Sequence, residues 1–203
     1  KELELPKFNG IYSKQDLIEL ARTDRILYNR GFGRKKYQEE QILNFDIKNL
    51  SKSNHWETSL DGSGAINHFN ISFNKNEYDT PNRRKEMLEN LWIQITWDND
   101  SKPSVLAPFG MFFGTYPDLY PNRTLAIGAM PGNFYSNWYM PYSDGAKFEI
   151  INKGDNLHNI KISIAFSPFS KTRKLLRFHA KWHKGKYRNE ENNNGRDIDW
   201  PIL

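Results

Sequence analysis

The stretch NIKISIAF, residues 159–166, says more about the fold class than any other part of the chain. Apolar residues occupy every second position, at Ile160, Ile162, Ile164 and Phe166. Successive side chains of a β-strand point to opposite faces of its sheet, so this spacing places one unbroken apolar row on one face. The stretch therefore predicts a strand with one buried side.

The same alternation recurs along the chain, with turn-forming Gly, Pro, Asn, Asp and Ser between the segments. Many short strands separated in this way predict an all-β protein, an antiparallel β-sandwich and more specifically a jelly roll. The predicted strands are AINHFNISF (65–73), WIQITW (92–97) and LLRFHAKWH (175–183), with shorter apolar runs at ILNFDI (42–47), SVLAPF (104–109) and KFEII (147–151).

One segment predicts a helix instead. In SKQDLIELARTD (13–24), Ser13 can cap the first turn and Asp16 follows three residues later, which approximates a capping box. Leu17 and Leu20 then fall at helical spacing. We expect one short N-terminal helix in front of the sandwich.

The aromatic content of 14% suits strands and sandwich cores, and a length of 203 residues suffices for one substantial domain or a tight pair of small ones.

Charge and hydropathy limit the classes of partner. The net charge of +5 comes from short basic clusters beside acidic residues or in loops, without a nucleic-acid-binding motif. No apolar run reaches the roughly 20 residues that span a bilayer. We expect neither nucleic acid nor a membrane as a partner.

Several catalytic classes lack their residues. No cysteine is present, which excludes a disulfide framework, a thiol nucleophile and a thiolate metal site. His179 and His183 are four residues apart, but in a strand they would lie about 13 Å apart, too far to share one ion. No GxSxG motif occurs, and Gly62-Ser63-Gly64 is better explained as a tight turn. We expect no metal and no cofactor.

Aromatic residues concentrate in NFYSNWYMPY, residues 133–142. Rings exposed on the rim of a sandwich offer flat faces on which a sugar can stack, with nearby amides and carboxylates bonding its hydroxyls. The same rings could instead belong to the core or anchor an oligomer contact. The sequence leaves these interpretations open.

Four blocks in this order resemble glycoside hydrolase family 172, first defined as domain-of-unknown-function family 2961. The blocks begin with a glycine turn and a strand, continue through a Trp-Asp turn and the ring-rich stretch, and end in a Phe-His-Ala strand. They are GSGAINHFNISF (62–73), WIQITWDNDSKPSVLAPFGMFFG (92–114), NFYSNWYMPYSDGAKFEIIN (133–152), and LLRFHAKWH with DIDWPIL (175–183 and 197–203).

The resemblance implies two tandem jelly rolls, trimers or higher assemblies, and retaining hydrolysis of fructofuranosides, arabinofuranosides or difructose anhydrides. The family's two catalytic Glu residues belong to the second jelly roll, so no residue here is carried over as catalytic. Retaining hydrolysis needs two carboxyl groups roughly 5 Å apart, and the acidic residues of these blocks are Asp98, Asp100, Asp144 and Glu149. The candidate sugar-contact residues are Trp138, Tyr139, Phe113 and His179.

On this basis we expect an N-terminal helical and extended segment at 1–40, a jelly-roll sandwich at 41–183, and a polar loop leading towards a second jelly roll at 184–203. Signal-peptide cleavage or experimental trimming would explain a first residue other than Met, and we favour export from a bacterium over a cytoplasmic location.

Three hypotheses follow. The chain is the non-catalytic first half of a furanoside-active hydrolase, which supplies scaffold, oligomer surface and sugar contacts. Alternatively, it is a stand-alone carbohydrate-binding module. Lastly, it is a structural module whose function is oligomerisation.

Overall fold

The computed structural model describes residues 13–28, 37, 39–169 and 176–183. The proposed polar loop at 184–203 lies outside the described residues. No helix in the described part of the chain is both long and apolar enough to cross a bilayer.

Strands dominate the described residues, and three helices and one 3₁₀ turn accompany them. The helices are α1 (Lys14–Tyr28), α2 (Pro81–Asn90) and α3 (Phe109–Phe112), and the 3₁₀ turn is Lys75–Glu77. The strands are β1 (Gln41–Leu50), β2 (His55–Leu60), β3 (Gly64–Phe73), β4 (Leu91–Trp97), β5 (Val105–Pro108), β6 (Asn122–Arg123), β7 (Ile127–Met130), β8 (Asn133–Ser136), β9 (Met140–Tyr142), β10 (Ala146–Asn152), β11 (His158–Pro168) and β12 (Ala180–Lys181).

The strands form two sheets that pack face to face. A seven-stranded sheet has the order β1-β11-β3-β8-β7-β6, with β9 also paired to β3. A five-stranded sheet has the order β12-β5-β4-β10-β2. Every strand pair in the described residues is antiparallel except that of β12 with β5. The predicted all-β sandwich is confirmed.

The predicted alternation explains which sides of the strands are buried. In β11, Ile160, Ile162 and Ile164 are buried as expected, whereas Phe166 follows an irregularity in the pairing with β3 and is only half-buried. In β4 the inward side ends at Trp97, which is fully buried. Burying a large apolar side chain stabilises the fold by about 1.5–3 kcal/mol, so these rows hold the two sheets together.

Phenylalanine rings from both sheets meet in the centre of the core. The ring of Phe69 on β3 lies edge-on to that of Phe148 on β10, with centroids 5.1 Å apart. Phe134 on β8 contacts Phe109 of α3 at 4.7 Å and Phe113 just after α3 at 5.3 Å. Because α3 and the residue that follows it bring two of these rings, the β5–α3 connection is part of the core.

The structure has more helix than the sequence predicted. The capping box of α1 is reciprocal: Ser13 N donates to Asp16 Oδ2 at 2.7 Å and Asp16 N donates to Ser13 Oγ at 3.1 Å. The helix continues to Tyr28. Helix α2 was not predicted, because it buries only two apolar side chains and so shows little periodicity. It is capped by Thr80, whose Oγ1 accepts from Arg83 N at 3.3 Å.

The predicted strand at 175–183 is wrong in most of its length. In the described residues 176–183 only β12 is a strand, and it runs parallel to β5. Leu176, expected on the apolar side, is 87% exposed. The carbonyl oxygen of Phe178 accepts from Trp97 Nε1 at 2.8 Å, so it bonds a side chain instead of a neighbouring strand.

A buried ion cluster joins the 3₁₀ turn, α2 and β11. The imidazole of His158 lies between two carboxylates, with Nδ1 3.0 Å from Glu77 Oε2 and Nε2 3.0 Å from Glu86 Oε2. Burial disfavours the imidazolium, but the hydrogen bonds and charges of the two carboxylates outweigh it and raise the pKa of His158 to about 9. Burial would raise the pKa of both carboxyl groups, yet their contacts with His158 leave the pKa of each lowered.

This cluster predicts how stability depends on pH. The stabilisation from charged His158 is complete below the unfolded pKa of about 6.5 and is lost as the pH rises through about 9. The contributions of Glu77 and Glu86 are complete above an unfolded pKa of about 4.5 and are lost as the pH falls through their lowered folded values. We expect the free energy of unfolding, measured by urea titration, to fall by about 3 kcal/mol from pH 6.5 to pH 9.

The variant His158→Gln should lose this decline, while His55→Gln, which alters an exposed histidine, should retain it. An equal decline in both variants would contradict the assignment.

Candidate functional site

The ring-rich stretch contributes two exposed rings, and both lie in the loop between β8 and β9. Trp138 is 45% exposed and Tyr139 is 42% exposed. Their neighbours Phe134, Tyr135 and Tyr142 are buried. Both strands pair with β3, so the loop is held at a fixed place on the seven-stranded sheet. The stretch therefore combines rings that belong to the core with two rings that are exposed at the surface.

Each exposed ring is supported by a second ring from a distant part of the chain. Trp138 and Phe178 have ring centroids 5.6 Å apart, and Tyr139 stacks on Tyr37 at 5.6 Å. We call these four residues the aromatic corner. Contacts between rings limit the rotation of Trp138 and Tyr139 while leaving much of each ring accessible.

The other two predicted sugar contacts differ from these. Phe113 is fully buried in the core, with 0% exposure, and its ring packs against Phe109 at 4.8 Å. Phe113 was a candidate sugar contact, but in this structure its ring is part of the core. His179 is exposed and directly follows Phe178 of the aromatic corner. His179 is thus adjacent in sequence to a residue of the aromatic corner, whereas Phe113 lies in the core.

Asp98 links the turn after β4 to the turn before β10 and to the segment that carries Phe178. Its Oδ1 accepts from Ser143 N at 2.5 Å and from Asp144 N at 2.7 Å, and its Oδ2 accepts from Arg177 Nε at 2.6 Å. Arg177 also donates to Ser143 Oγ at 2.6 Å. We call these four residues the turn clamp.

The turn clamp leaves Asp98 unsuited to acid–base chemistry. Burial would raise its pKa, but the backbone hydrogen bonds of Asp144 and Ser143 and the guanidinium of Arg177 leave the pKa of Asp98 lowered. Both carboxylate oxygens already accept hydrogen bonds. The role of Asp98 is to hold the turns together.

Of the remaining acidic candidates, Asp100 and Asp144 lie together and Glu149 lies apart. Asp100 and Asp144 line one cleft at the end of the five-stranded sheet. Glu149 lies further along β10, only 4% exposed although it is on the outer side of the sheet. Its carboxylate is 3.1 Å from Lys147 Nζ, and Gln94 Nε2 donates to it at 2.5 Å.

Sequence reasoning did not anticipate the polar cluster around Glu149. In the described part of the chain, His55, Glu57 and Glu149 form a group of three whose ligand atoms lie within 4.8 Å of one another, a set of donors that zinc uses. The ammonium of Lys147, however, lies 3.5 Å from Glu57 and 3.1 Å from Glu149. A cation already bridges these carboxylates, so we assign no metal to them. The alternation in β10 places Lys147 beside Glu149, but the pairing of β10 with β2 cannot be read from sequence.

The turn clamp predicts the effect of removing one charge. Asp98→Asn keeps the size of the side chain but loses the ion pair with Arg177 and weakens two short hydrogen bonds. We expect urea unfolding to show a loss of about 1–3 kcal/mol in stability. Asp155→Asn is the matched control because Asp155 is exposed and pairs with exposed Lys52, and it should change stability by less than about 0.5 kcal/mol. Equal losses in the two variants would show that the clamp contributes nothing.

Comparisons with known proteins identify the family. A family model described as GH172 domain-like matches residues 41–165. Among solved structures, the serine protease of Aeromonas sobria is 9% identical over 73% of this chain and 30% of its own, with a TM-score of 0.28. A chain of the Tomato aspermy virus structure is 12% identical over 80% of this chain and 100% of its own, with a TM-score of 0.31.

These structural likenesses are too distant to carry an argument, and this chain spans only 30% of the length of the Aeromonas protease chain. No curated protein sequence matches. The family model, in contrast, covers more than half of the chain. The chain therefore belongs to the GH172 domain-like family, which relates it to the glycoside hydrolases of family 172.

Proposed function

We propose that this chain is the first jelly roll of a furanoside-active, retaining glycoside hydrolase resembling family 172. In this role it provides a scaffold, an oligomer surface and part of the sugar contact. The observation that carries the sugar contact is the aromatic corner, in which Trp138 and Tyr139 are fixed by neighbouring rings and still accessible.

The strand order supports a jelly roll. The chain alternates between the two sheets, with β1 and β3 in the seven-stranded sheet and β2 and β4 in the five-stranded sheet. Later in the chain, β10 inserts between β2 and β4 while β11 inserts between β1 and β3. A double layer in which each sheet collects strands from both halves of the chain fits the jelly-roll architecture.

The polar groups near the aromatic corner suit hydroxyl recognition. Asn137 precedes Trp138, and its Oδ1 lies 2.8 Å from His68 Nδ1. Its Nδ2 donates to the carbonyl oxygen of Leu125 at 2.9 Å. A small number of well-placed polar groups beside aromatic rings is typical of small-molecule sites. They would orient a sugar that stacks on Trp138 or Tyr139.

Two of the four acidic candidates, Asp98 and Glu149, are held in structural contacts that leave them unsuited to acid–base chemistry. Asp98 is held by the turn clamp, and Glu149 is buried against Lys147. Neither offers the accessible carboxyl that general acid–base catalysis or nucleophilic attack on a glycoside requires. The reacting carboxylates would come from a second sandwich, as the family resemblance implies.

A second candidate function is a stand-alone module for carbohydrate binding or oligomerisation. Exposed Trp and Tyr are frequent anchors of protein–protein contacts, and the aromatic corner offers both. Sedimentation velocity measures this property directly. A trimer or larger assembly is expected from the oligomer surface, and a monomer would contradict it.

Calorimetric titration of the 203-residue chain with neutral fructofuranosides and arabinofuranosides tests the sugar contact. Trp138→Ala and Tyr139→Ala should each lower the affinity by about tenfold, because each removes a ring-stacking surface worth roughly 1 kcal/mol or more.

Tyr116→Ala is the matched control. Tyr116 is also exposed, but its hydroxyl bonds Glu89 on α2, at the opposite end of β4 from Trp97 and Phe178. Unchanged affinity in both aromatic-corner variants, or no binding by the parent chain, would contradict the proposed sugar contact.

A further inference from the structure

A cleft at one end of the five-stranded sheet has no role in the function proposed so far. It has a volume of about 420 Å³, which lies within the range of small-molecule sites. Three turns and the ends of β2, β4 and β10 form its walls. The side chains that argue for a ligand are Asp61, Thr96, Asn99, Asp100, Asp144 and Lys147.

Backbone hydrogen bonds join the three turns and fix the walls of this cleft, which we call the turn cleft. Asp98 N donates to the carbonyl of Gly145 at 2.9 Å, and Gly145 N donates to that of Gly62 at 2.7 Å. Asn99 Nδ2 donates to the carbonyl of Asp144 at 3.1 Å. Gly62 and Gly145 have φ of 73° and 101°, a region that favours glycine. The cleft is thus pre-shaped, which lowers the entropic cost of binding.

The turn cleft presents acceptors and donors together. Among the residues that line it, Asp61, Asp100 and Asp144 carry carboxylates, Thr96 carries a hydroxyl, and Lys147 carries an ammonium group. The ammonium is held in place from outside the cleft by Glu149, 3.1 Å away, and Glu57, 3.5 Å away. Hydrogen bonds to charged groups are the stronger ones, so a ligand rich in hydroxyl groups finds strong partners on several sides.

The spacing of the carboxylates argues against a bound metal ion. Among the residues that the structure describes, His55, Glu57 and Glu149 are the one group of three acidic or histidine side chains whose ligand atoms lie within 4.8 Å of one another. The carboxylates of the turn cleft do not converge in this way. A calcium ion needs six to eight oxygens at about 2.3–2.6 Å, so a ligand of several ångströms is the better fit.

We propose that the turn cleft binds a neutral saccharide unit, whose hydroxyls donate to the carboxylates and accept from Lys147. This deepens the proposed function, on which it rests, by adding a second sugar contact to that of the aromatic corner. Arg177 and Phe178 are consecutive, so the turn clamp connects the two places. The three carboxylates of the lining residues outnumber the one ammonium group, so electrostatic repulsion should exclude acidic saccharides.

Calorimetric titration of the 203-residue chain tests this proposal with four probes. They are a neutral oligofructoside, an oligogalacturonide of the same length, calcium chloride and an oligolysine peptide. We expect binding of the oligofructoside and none of the oligogalacturonide. The double variant Asp100→Asn/Asp144→Asn should lower the affinity for the oligofructoside by about tenfold or more, and Thr96→Val should lower it by several-fold.

Asp155→Asn is again the matched control and should bind as the parent does.

Unchanged affinity in the double variant, with loss in Trp138→Ala, would overturn the turn cleft while the aromatic corner stands. The reverse pattern would support the turn cleft and overturn the aromatic corner. Binding of calcium or oligolysine that the double variant abolishes, without binding of the oligofructoside, would overturn the proposal in favour of a cation site. No saccharide binding by the parent overturns both.

Discussion

The carboxylate of Asp98 is the constraint on which the proposed sugar-contacting end of this molecule depends. It accepts two backbone N–H groups from the turn before β10 and pairs with Arg177. Through those bonds it fixes one wall of the turn cleft and the segment whose Phe178 supports Trp138. A negative charge in a half-buried position is costly unless it is hydrogen-bonded and paired, so the same carboxylate enforces the geometry that satisfies it. The aromatic corner and the turn cleft are two consequences of one clamp.

The sequence predicted the strands whose two sides differ in burial. β3, β4 and β11 follow alternating rows that pack against the opposite sheet, and their bounds lie close to those predicted. The stretch 175–183 shows the same alternation but contributes only β12. There the guanidinium of Arg177 donates to Asp98 in the turn clamp, and the carbonyl oxygen of Phe178 accepts from Trp97 Nε1. Alternation reports burial on one side, but it does not report which hydrogen bonds the backbone makes.

The candidate site was predictable only where exposure follows from local sequence. Trp138 and Tyr139 lie in a loop between two short strands, and their exposure agrees with the expectation for a ring-rich rim. Phe113 looked similar in sequence, yet α3 turns it into the phenylalanine cluster of the core. The partners of the site residues, such as Phe178 for Trp138 and Arg177 for Asp98, are far apart in the chain. Such pairings arise from sheet topology, which a single sequence does not encode in any local pattern.

The central claim is that the turn end of the sandwich is the sugar-contacting surface. The most direct measurement is the change in backbone amide chemical shifts of the isotope-labelled chain during titration with a neutral oligofructoside. The account predicts that the changes cluster at residues 61–62, 99–100, 138–139 and 144–145. Changes confined to the outer side of β1, β3 and β11, or no changes at saturating sugar, would contradict it.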